Sequence, residues 1–139
     1  MKAHIARPAL AALTWELEQG STGWNALEKA AALVGMKLVA VQPHQLDDTV
    51  GQLLGLAARP QTAPEHPAPL REDFPSAVVF SGLSDSQLDQ VLAAMRGYDE
   101  VIPLKAIVTE TNQSWSLRSL LGELYRERQA FAEQQGSSH

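Results

Sequence analysis

The chain has 139 residues, of which 45% are hydrophobic, and it carries a formal net charge of −5 and no cysteine. This length suits one ordinary domain, which buries roughly two thirds of the surface that its unfolded chain exposes. The absence of cysteine excludes disulfides, thiolate metal sites and cysteine nucleophiles. No basic stripe could neutralise several phosphates, so nucleic-acid binding is disfavoured. We recognise no signal peptide and no membrane-spanning segment, and we expect a cytoplasmic protein.

Residues 1–57 are predicted to form an N-terminal α/β half. Apolar runs indicate strands at residues 10–17 and 37–41. Thr22 is in position to cap a helix that Gly35 closes, and Asp48 is in position to cap a second helix. The predicted order is therefore strand, helix, strand, helix.

Residues 58–75 are rich in proline and are predicted to be a linker. Five of the eight prolines of the chain fall here. Proline lacks the amide hydrogen that helices and sheets require, and it favours extended backbone in the residue before it. The alternative is a polyproline recognition segment, although the aromatic and basic neighbours of such ligands are missing.

Residues 76–139 are predicted to form a C-terminal α/β half with the same order of elements. An apolar run at 76–82 indicates a buried strand, and Ser84 and Gln87 then form a capping box for a helix that Gly97 closes. Residues 101–108 indicate a second strand, which is broken near its start by proline.

The last predicted element is a long helix from about Ser114 to Gln134. About twenty helical residues span roughly 30 Å, which is more than a small sheet requires. Its apolar stripe consists of Leu117, Leu120, Leu121, Leu124, Tyr125 and Phe131.

Two strand–helix–strand–helix units predict an α/β fold with a small, largely parallel sheet of about four strands and covering helices. Residues 49–55 (Thr-Val-Gly-Gln-Leu-Leu-Gly) also match residues 116–122 (Ser-Leu-Arg-Ser-Leu-Leu-Gly) in pattern. This match favours a duplicated architecture. The alternative is that any two α/β segments look similar at this level of detail.

Three stretches of the C-terminal half resemble a known family. They are Phe-Ser-Gly-Leu-Ser-Asp-Ser-Gln-Leu-Asp at 80–89, Ile-Pro-Leu-Lys-Ala at 102–106 and Thr-Glu-Thr-Asn-Gln-Ser-Trp at 109–115. On these residues, the segment 77–128 resembles the small bacterial domain of unknown function numbered 3783. The resemblance implies a recurring module, and it brings no established activity.

The polar cluster after the strand at 104–108 is the strongest candidate for a binding site. Ligands of open α/β sheets usually bind at the carboxyl ends of strands. The predicted site consists of Lys105, Thr109, Glu110, Asn112 and Trp115. The alternative is structural: the lysine protects a sheet edge, and the hydroxyl and amide side chains cap turns and the following helix, with Ser114 as its N-cap.

No catalytic constellation accompanies this cluster. The four histidines are scattered, and only His44 has carboxylates close by, at Asp47 and Asp48. Their spacing is not that of a metal site, and no phosphate-binding loop or nucleophile elbow is present. We therefore predict no metal, no cofactor and no catalytic residue, and an enzyme is disfavoured. A hydrolase or transferase is the least favoured interpretation, because its only acid–base candidates, Glu110, Asp85 and His44, lie in different predicted elements.

Two other functions are preferred. The first is a non-enzymatic interaction or regulatory module that self-associates through the C-terminal helix, with Tyr125 and Phe131 at the contact. The second is a small-ligand binding domain in which Lys105 or a helix amino end binds an anion and Trp115 supplies an apolar wall. No nucleic-acid or membrane partner is expected.

Overall fold

The computed structural model describes residues 10–56, 74–98 and 102–136, with side chains as far as Ala130. One sheet contains the strands β1 (Ala11–Trp15), β2 (Lys37–Ala40), β3 (Ala77–Ser81) and β4 (Leu104–Ile107). The helices are α1 (Thr22–Val34), α2 (Val50–Leu53), α3 (Asp85–Ala94) and α4 (Leu117–Gly136). Single-turn 3₁₀ helices precede α2 and α4, at Pro43–Gln45 and Asn112–Ser114. The predicted α/β class and four-stranded sheet are confirmed.

The strand order is β2-β1-β3-β4, so the two halves of the chain share one sheet. The pairs β1–β2 and β3–β4 are parallel, as predicted, because a helix crosses over between the strands of each pair. The two halves meet in an antiparallel pairing of β1 with β3, with Leu13 opposite Val79 at its centre. The predicted linker lies outside the described residues, apart from Phe74 and Pro75.

Apolar side chains cover both faces of the sheet, because alternate residues of a strand point to opposite faces. On one face α1 and α3 pack over a core that includes Leu27, Val78, Phe80, Val91 and Met95. On the other face α2 and α4 pack over a core that includes Leu13, Val50, Val79, Leu117 and Leu121. Each core draws residues from both halves, so neither half completes a core alone.

Local capping explains where the helices of the first face begin and end. In α3 the predicted capping box is confirmed: the Gln87 amide donates to Ser84 Oγ at 3.1 Å, and the Ser84 amide donates to Gln87 Oε1 at 2.9 Å. Helix α1 ends at Gly35, whose φ of 71° is the left-handed conformation that glycine adopts without strain.

Three predicted caps were wrong by one or two residues. The capping hydroxyls belong to Ser21 rather than Thr22, to Thr49 rather than the neighbouring Asp48, and to Ser116 rather than Ser114. Each accepts a hydrogen bond from the amide three residues later, at 3.1–3.2 Å. The chain offers several adjacent residues able to cap, and at Thr49 a local capping box with Gln52 accompanies the one that is used.

The last two caps lie at a contact between the halves. Thr49 and Ser116 form an isolated antiparallel bridge. On either side of it the Val50 amide donates to the Trp115 carbonyl at 2.9 Å, and the Leu117 amide donates to the Asp48 carbonyl at 3.0 Å. These reciprocal bonds join the starts of α2 and α4 around a local pseudo-two-fold axis.

An ion pair lies beside this bridge. Arg118 Nε donates to Asp47 Oδ1 at 2.9 Å. This hydrogen bond, more than the Coulomb attraction, holds the pKa of Asp47 below its usual range. Because the Asp47 side chain is 79% exposed, water screens the pair, and we expect it to contribute well under about 1 kcal/mol to stability.

Helix α4 begins by packing on the sheet and ends beyond it. Leu117, Leu120 and Leu121 are buried as predicted, whereas residues 126–130 are exposed. Tyr125 contacts Phe74 of the same chain, with ring centroids 5.3 Å apart, and the side chain of Phe131 lies outside the described residues. None of the described helices combines the length and the apolar character that crossing a bilayer requires.

One backbone conformation yields a stability prediction. Glu16, directly after β1, has a φ of 54°, whereas Gly82 holds the same place after β3 with a φ of 79°. A left-handed conformation costs a residue with a Cβ about 1–2 kcal/mol, and glycine relieves most of it. We expect Glu16→Gly to raise the free energy of unfolding by about 0.5–1 kcal/mol in denaturant melts.

Glu18→Gly is the matched control, because it removes the same charge from an exposed residue whose φ is not positive. It should leave stability unchanged or lower it. An equal rise in the free energy of unfolding for both variants would show that the loss of negative charge, and not the relief of backbone strain, stabilises the protein.

Candidate functional site

The loop after β4 contains the polar cluster predicted to bind a ligand. Thr109 and Asn112 exchange two hydrogen bonds across it. The Thr109 amide donates to Asn112 Oδ1 at 2.9 Å, and the Asn112 amide donates to Thr109 Oγ1 at 3.1 Å. Both side chains therefore satisfy backbone groups of a tight turn, which is a common structural role of these residue types.

Asn112 also fastens the loop to the edge of the sheet. Its Nδ2 donates to the Ile107 carbonyl at 3.1 Å, and the residue is buried. The next residue, Val108, donates its amide to Phe80 of β3, so the Ile107 carbonyl points to the opposite, outer side of β4. The asparagine amide thus occupies a place that an adjacent strand would use.

The same turn occurs in the other half, where no ligand was predicted. The Gln42 amide donates to Gln45 Oε1 at 2.9 Å in the loop between β2 and α2. Gln42 and Thr109 are 67 positions apart, as are Gln45 and Asn112. The recurrence indicates that this turn is part of the architecture, which supports the structural alternative for Thr109 and Asn112.

A groove of about 410 Å³ lies between β4 and α4 and will be called the β4–α4 groove. Of the five predicted site residues, Lys105, Thr109, Asn112 and Trp115 line it. Glu110 is exposed on the loop and is not among the lining residues. Trp115 is partly buried against the core beneath α4, so it gives the groove an aromatic wall.

Lys105 lies at the outer strand of the sheet. It is paired with Val78, on the face covered by α1 and α3, whereas Leu104 and Ala106 belong to the face covered by α4. Successive residues of β4 therefore point to opposite faces of the sheet. Lys105 Nζ donates to the Ile102 carbonyl at 2.9 Å, so part of its bonding capacity serves the segment leading into β4.

Two carboxylates that the sequence analysis missed also line the β4–α4 groove. They belong to Glu123 and Glu127 of α4, and Glu123 also pairs with Arg126. Their positions follow Leu120 by three and seven residues, the spacing of one helical face. That spacing could have revealed them. The ionised side chains that α4 contributes to the groove are two carboxylates, and the Lys105 side chain points to the other face of the sheet, so an anion in the groove would meet like charge.

A second surface feature lies on the other side of β4. Leu88 and Leu92 of α3 and Ile107 of β4 surround a small hollow of about 150 Å³ above the buried Phe80. Leu92 is 41% exposed and Ile107 47%. We call the three residues Leu88, Leu92 and Ile107 the α3–β4 patch.

Charged side chains adjoin this patch. Asp89, Arg96 and Lys105 line a neighbouring depression that also includes Leu92. Among the described residues only Leu33, on α1, is a further large hydrophobic side chain with comparable exposure. The patch escaped the sequence analysis because Leu88 and Leu92 have the spacing of a buried helical face, and nothing in one sequence shows where a covering layer ends.

Nothing in the described part of the chain groups the residues that metal binding would need. His44 is exposed on the 3₁₀ helix before α2. The neighbouring Asp47 is engaged with Arg118. No three histidine or carboxylate side chains come together between residues 10 and 56, 74 and 98, or 102 and 136.

Comparison with known protein families gives a match to the C-terminal half. Residues 76–131 match the sequence model of a family described as a domain of unknown function, DUF3783. The predicted resemblance over residues 77–128 is therefore confirmed, and the match spans β3, α3, β4 and most of α4. No curated protein matches the chain, and no solved structure matches it.

The loop geometry makes a prediction about Asn112. Asn112→Ala removes the bonds to the Thr109 amide and the Ile107 carbonyl, so we expect a loss of about 1–3 kcal/mol in the free energy of unfolding. Glu110→Ala, two residues earlier in the same loop, should change stability by no more than about 0.5 kcal/mol. Thermal and denaturant melts of both variants test this. A near-native melt of Asn112→Ala would contradict the structural role.

Proposed function

We propose that this chain is a non-enzymatic interaction module and that the α3–β4 patch is its contact surface. The observation that carries the proposal is the exposure of Leu92 and Ile107 side by side. Exposed apolar side chains that adjoin one another and have charged neighbours mark candidate sites of protein contact.

The pseudo-symmetry of the fold supports this choice. Thr14 of β1 and Phe80 of β3 occupy equivalent positions in the two inner strands. Ala40 of β2 is opposite Thr14, and Ile107 of β4 is opposite Phe80, so Ala40 and Ile107 are equivalent as well. The architecture therefore tolerates a small side chain at this position, and the large apolar one in β4 is not required by the sheet.

A second copy of the chain is the partner that the charges of the patch favour. Asp89 lies beside Arg96 and Lys105 in the adjoining depression. A two-fold contact brings each residue of a surface against a different residue of the same surface. A surface that carries both signs can therefore pair its own carboxylate with the cations of a second copy around an apolar centre.

The C-terminal helix is the other surface for self-association. Tyr125 contacts Phe74 within the chain, whereas residues 126–130 are exposed and largely polar. A contact there therefore depends on Phe131 and on residues beyond the described side chains. A dimer formed through the α3–β4 patch and a dimer formed through the C-terminal helix would therefore be disrupted by different substitutions.

Sedimentation velocity over a range of concentrations tests the proposal. We expect the full chain to form dimers and Ile107→Lys to raise the dimer dissociation constant at least about tenfold. Leu33→Lys is the matched control, because Leu33 is 61% exposed but lies outside the patch, and it should leave the constant unchanged. A strict monomer would refute self-association. Dissociation by Phe131→Glu, with Ile107→Lys still dimeric, would assign the contact to α4.

The β4–α4 groove supports a second candidate function, the binding of a small anionic ligand. The observation that favours it is that Trp115 and Lys105 both line this groove. The carboxylates of Glu123 and Glu127 oppose an anion, so the lysine would have to outweigh them.

Isothermal titration with inorganic phosphate and with a small dicarboxylate tests this second function. If Lys105 binds the anion, Lys105→Met should abolish the heat of binding, and Glu123→Gln combined with Glu127→Gln should strengthen binding several-fold by removing like charge. Equal binding by wild type and Lys105→Met would exclude Lys105 as the anion site.

A further inference from the structure

Equivalent residues of the two halves are separated by a nearly constant number of positions. Ala11 of β1 is opposite Lys37 of β2, and Ala77 of β3 is opposite Leu104 of β4. The inner strands are therefore offset by 66 positions (77 − 11) and the outer strands by 67 (104 − 37). Both parallel pairs thus have the same register.

The hydrogen bonds that follow the outer strands repeat with the same offset. The turn bond received by Gln45 corresponds to that received by Asn112, and the cap at Thr49 corresponds to the cap at Ser116. Each pair is 67 positions apart. Three local features with an offset of 67, together with inner strands offset by 66, are better explained by repetition of a unit than by general likeness between α/β segments.

We propose that residues 10–56 are a second, divergent copy of the unit matched at 76–131, and that the inner face of the matched unit is a docking surface for such a copy. This inner face consists of the β1-facing edge of β3, the side of α3 that packs on α1, and the start of α4 around Ser116. Its occupant in this chain is the N-terminal unit. The inference is independent of the proposed self-association.

The docking surface distinguishes the N-terminal unit from a second C-terminal unit. The two units carry different residues at the pseudo-two-fold axis between them. Gly51 corresponds to Arg118 (118 − 51 = 67). A Cβ at Gly51 would lie 3.1 Å from Gln113 Cγ and 3.3 Å from the Gln113 carbonyl oxygen. A second C-terminal unit in the place of the N-terminal one would bring an arginine into this space.

The ion pair beside the axis also requires one unit of each kind. Arg118 binds Asp47, and the C-terminal residue corresponding to Asp47 is Ser114 (114 − 47 = 67). Two C-terminal units would therefore lose the ion pair, and Gln113 would have to shift by a few tenths of an ångström to admit the arginine. The loss of an attraction together with this tight contact favours the pairing of unlike units.

Cleavage of the full chain within residues 61–69, at an inserted protease site, tests the docking surface. The two fragments should remain a 1:1 complex in size-exclusion chromatography, and a labelled N-terminal fragment should exchange into it. Gly51→Arg should raise the dissociation constant of the fragments about tenfold or more. Gln19→Arg, which adds the same charge at an exposed position of the same unit, is the control and should have no effect.

Gln113→Ala in the C-terminal fragment distinguishes a docking defect from a folding defect. It removes the nearer of the two clashing atoms, so it should restore part of the affinity lost by Gly51→Arg. Separation of the wild-type fragments after cleavage would overturn the proposal. Failure of Gln113→Ala to restore any affinity, or a C-terminal homodimer that excludes the N-terminal fragment, would overturn its selectivity.

Discussion

Five backbone pairs between β1 and β3 hold the centre of the sheet, and the two halves extend outward from them in opposite directions. Because these inner strands carry buried side chains on both faces, separating them would open both cores at once. The reciprocal bonds around Thr49 and Ser116 fix the same relation at the start of α2 and α4. The β1–β3 pairing therefore determines how the outer strands, the starts of α2 and α4 and the loops that follow the outer strands are placed in the fold.

The order and type of the elements could be predicted from the sequence, because they depend on local chemistry. The capping box at Ser84 and the glycine that ends α1 are encoded within a few residues. The cap at Thr49 is also local, since Gln52 completes a capping box with it, whereas the bridge from Thr49 to Ser116, 67 positions away, is not visible in the local sequence. The antiparallel junction was also beyond a pattern analysis, because apolar runs do not specify their neighbours in a sheet.

The candidate site shows a different limit. Threonine and asparagine are suited both to binding ligands and to closing turns, and their residue types do not separate the two roles. The matching turn at Gln42 and Gln45 became informative only when the structure aligned the halves. The groove carboxylates on α4 were detectable in principle from helical spacing, whereas the exposure of Leu92 and Ile107 depends on where the helical layer stops.

The hydrogen bond from Asn112 to the outer carbonyl of Ile107 has a consequence for how copies of the chain can assemble. A sheet whose last strand offers all its peptide groups can recruit strand after strand without limit, and such growth leads to fibres. Here a side chain of the same molecule fills one of the outward positions of a four-residue strand. An incoming strand would therefore have to displace the Asn112 amide before it could pair along the whole of this edge, which makes extension of the sheet from β4 less favourable.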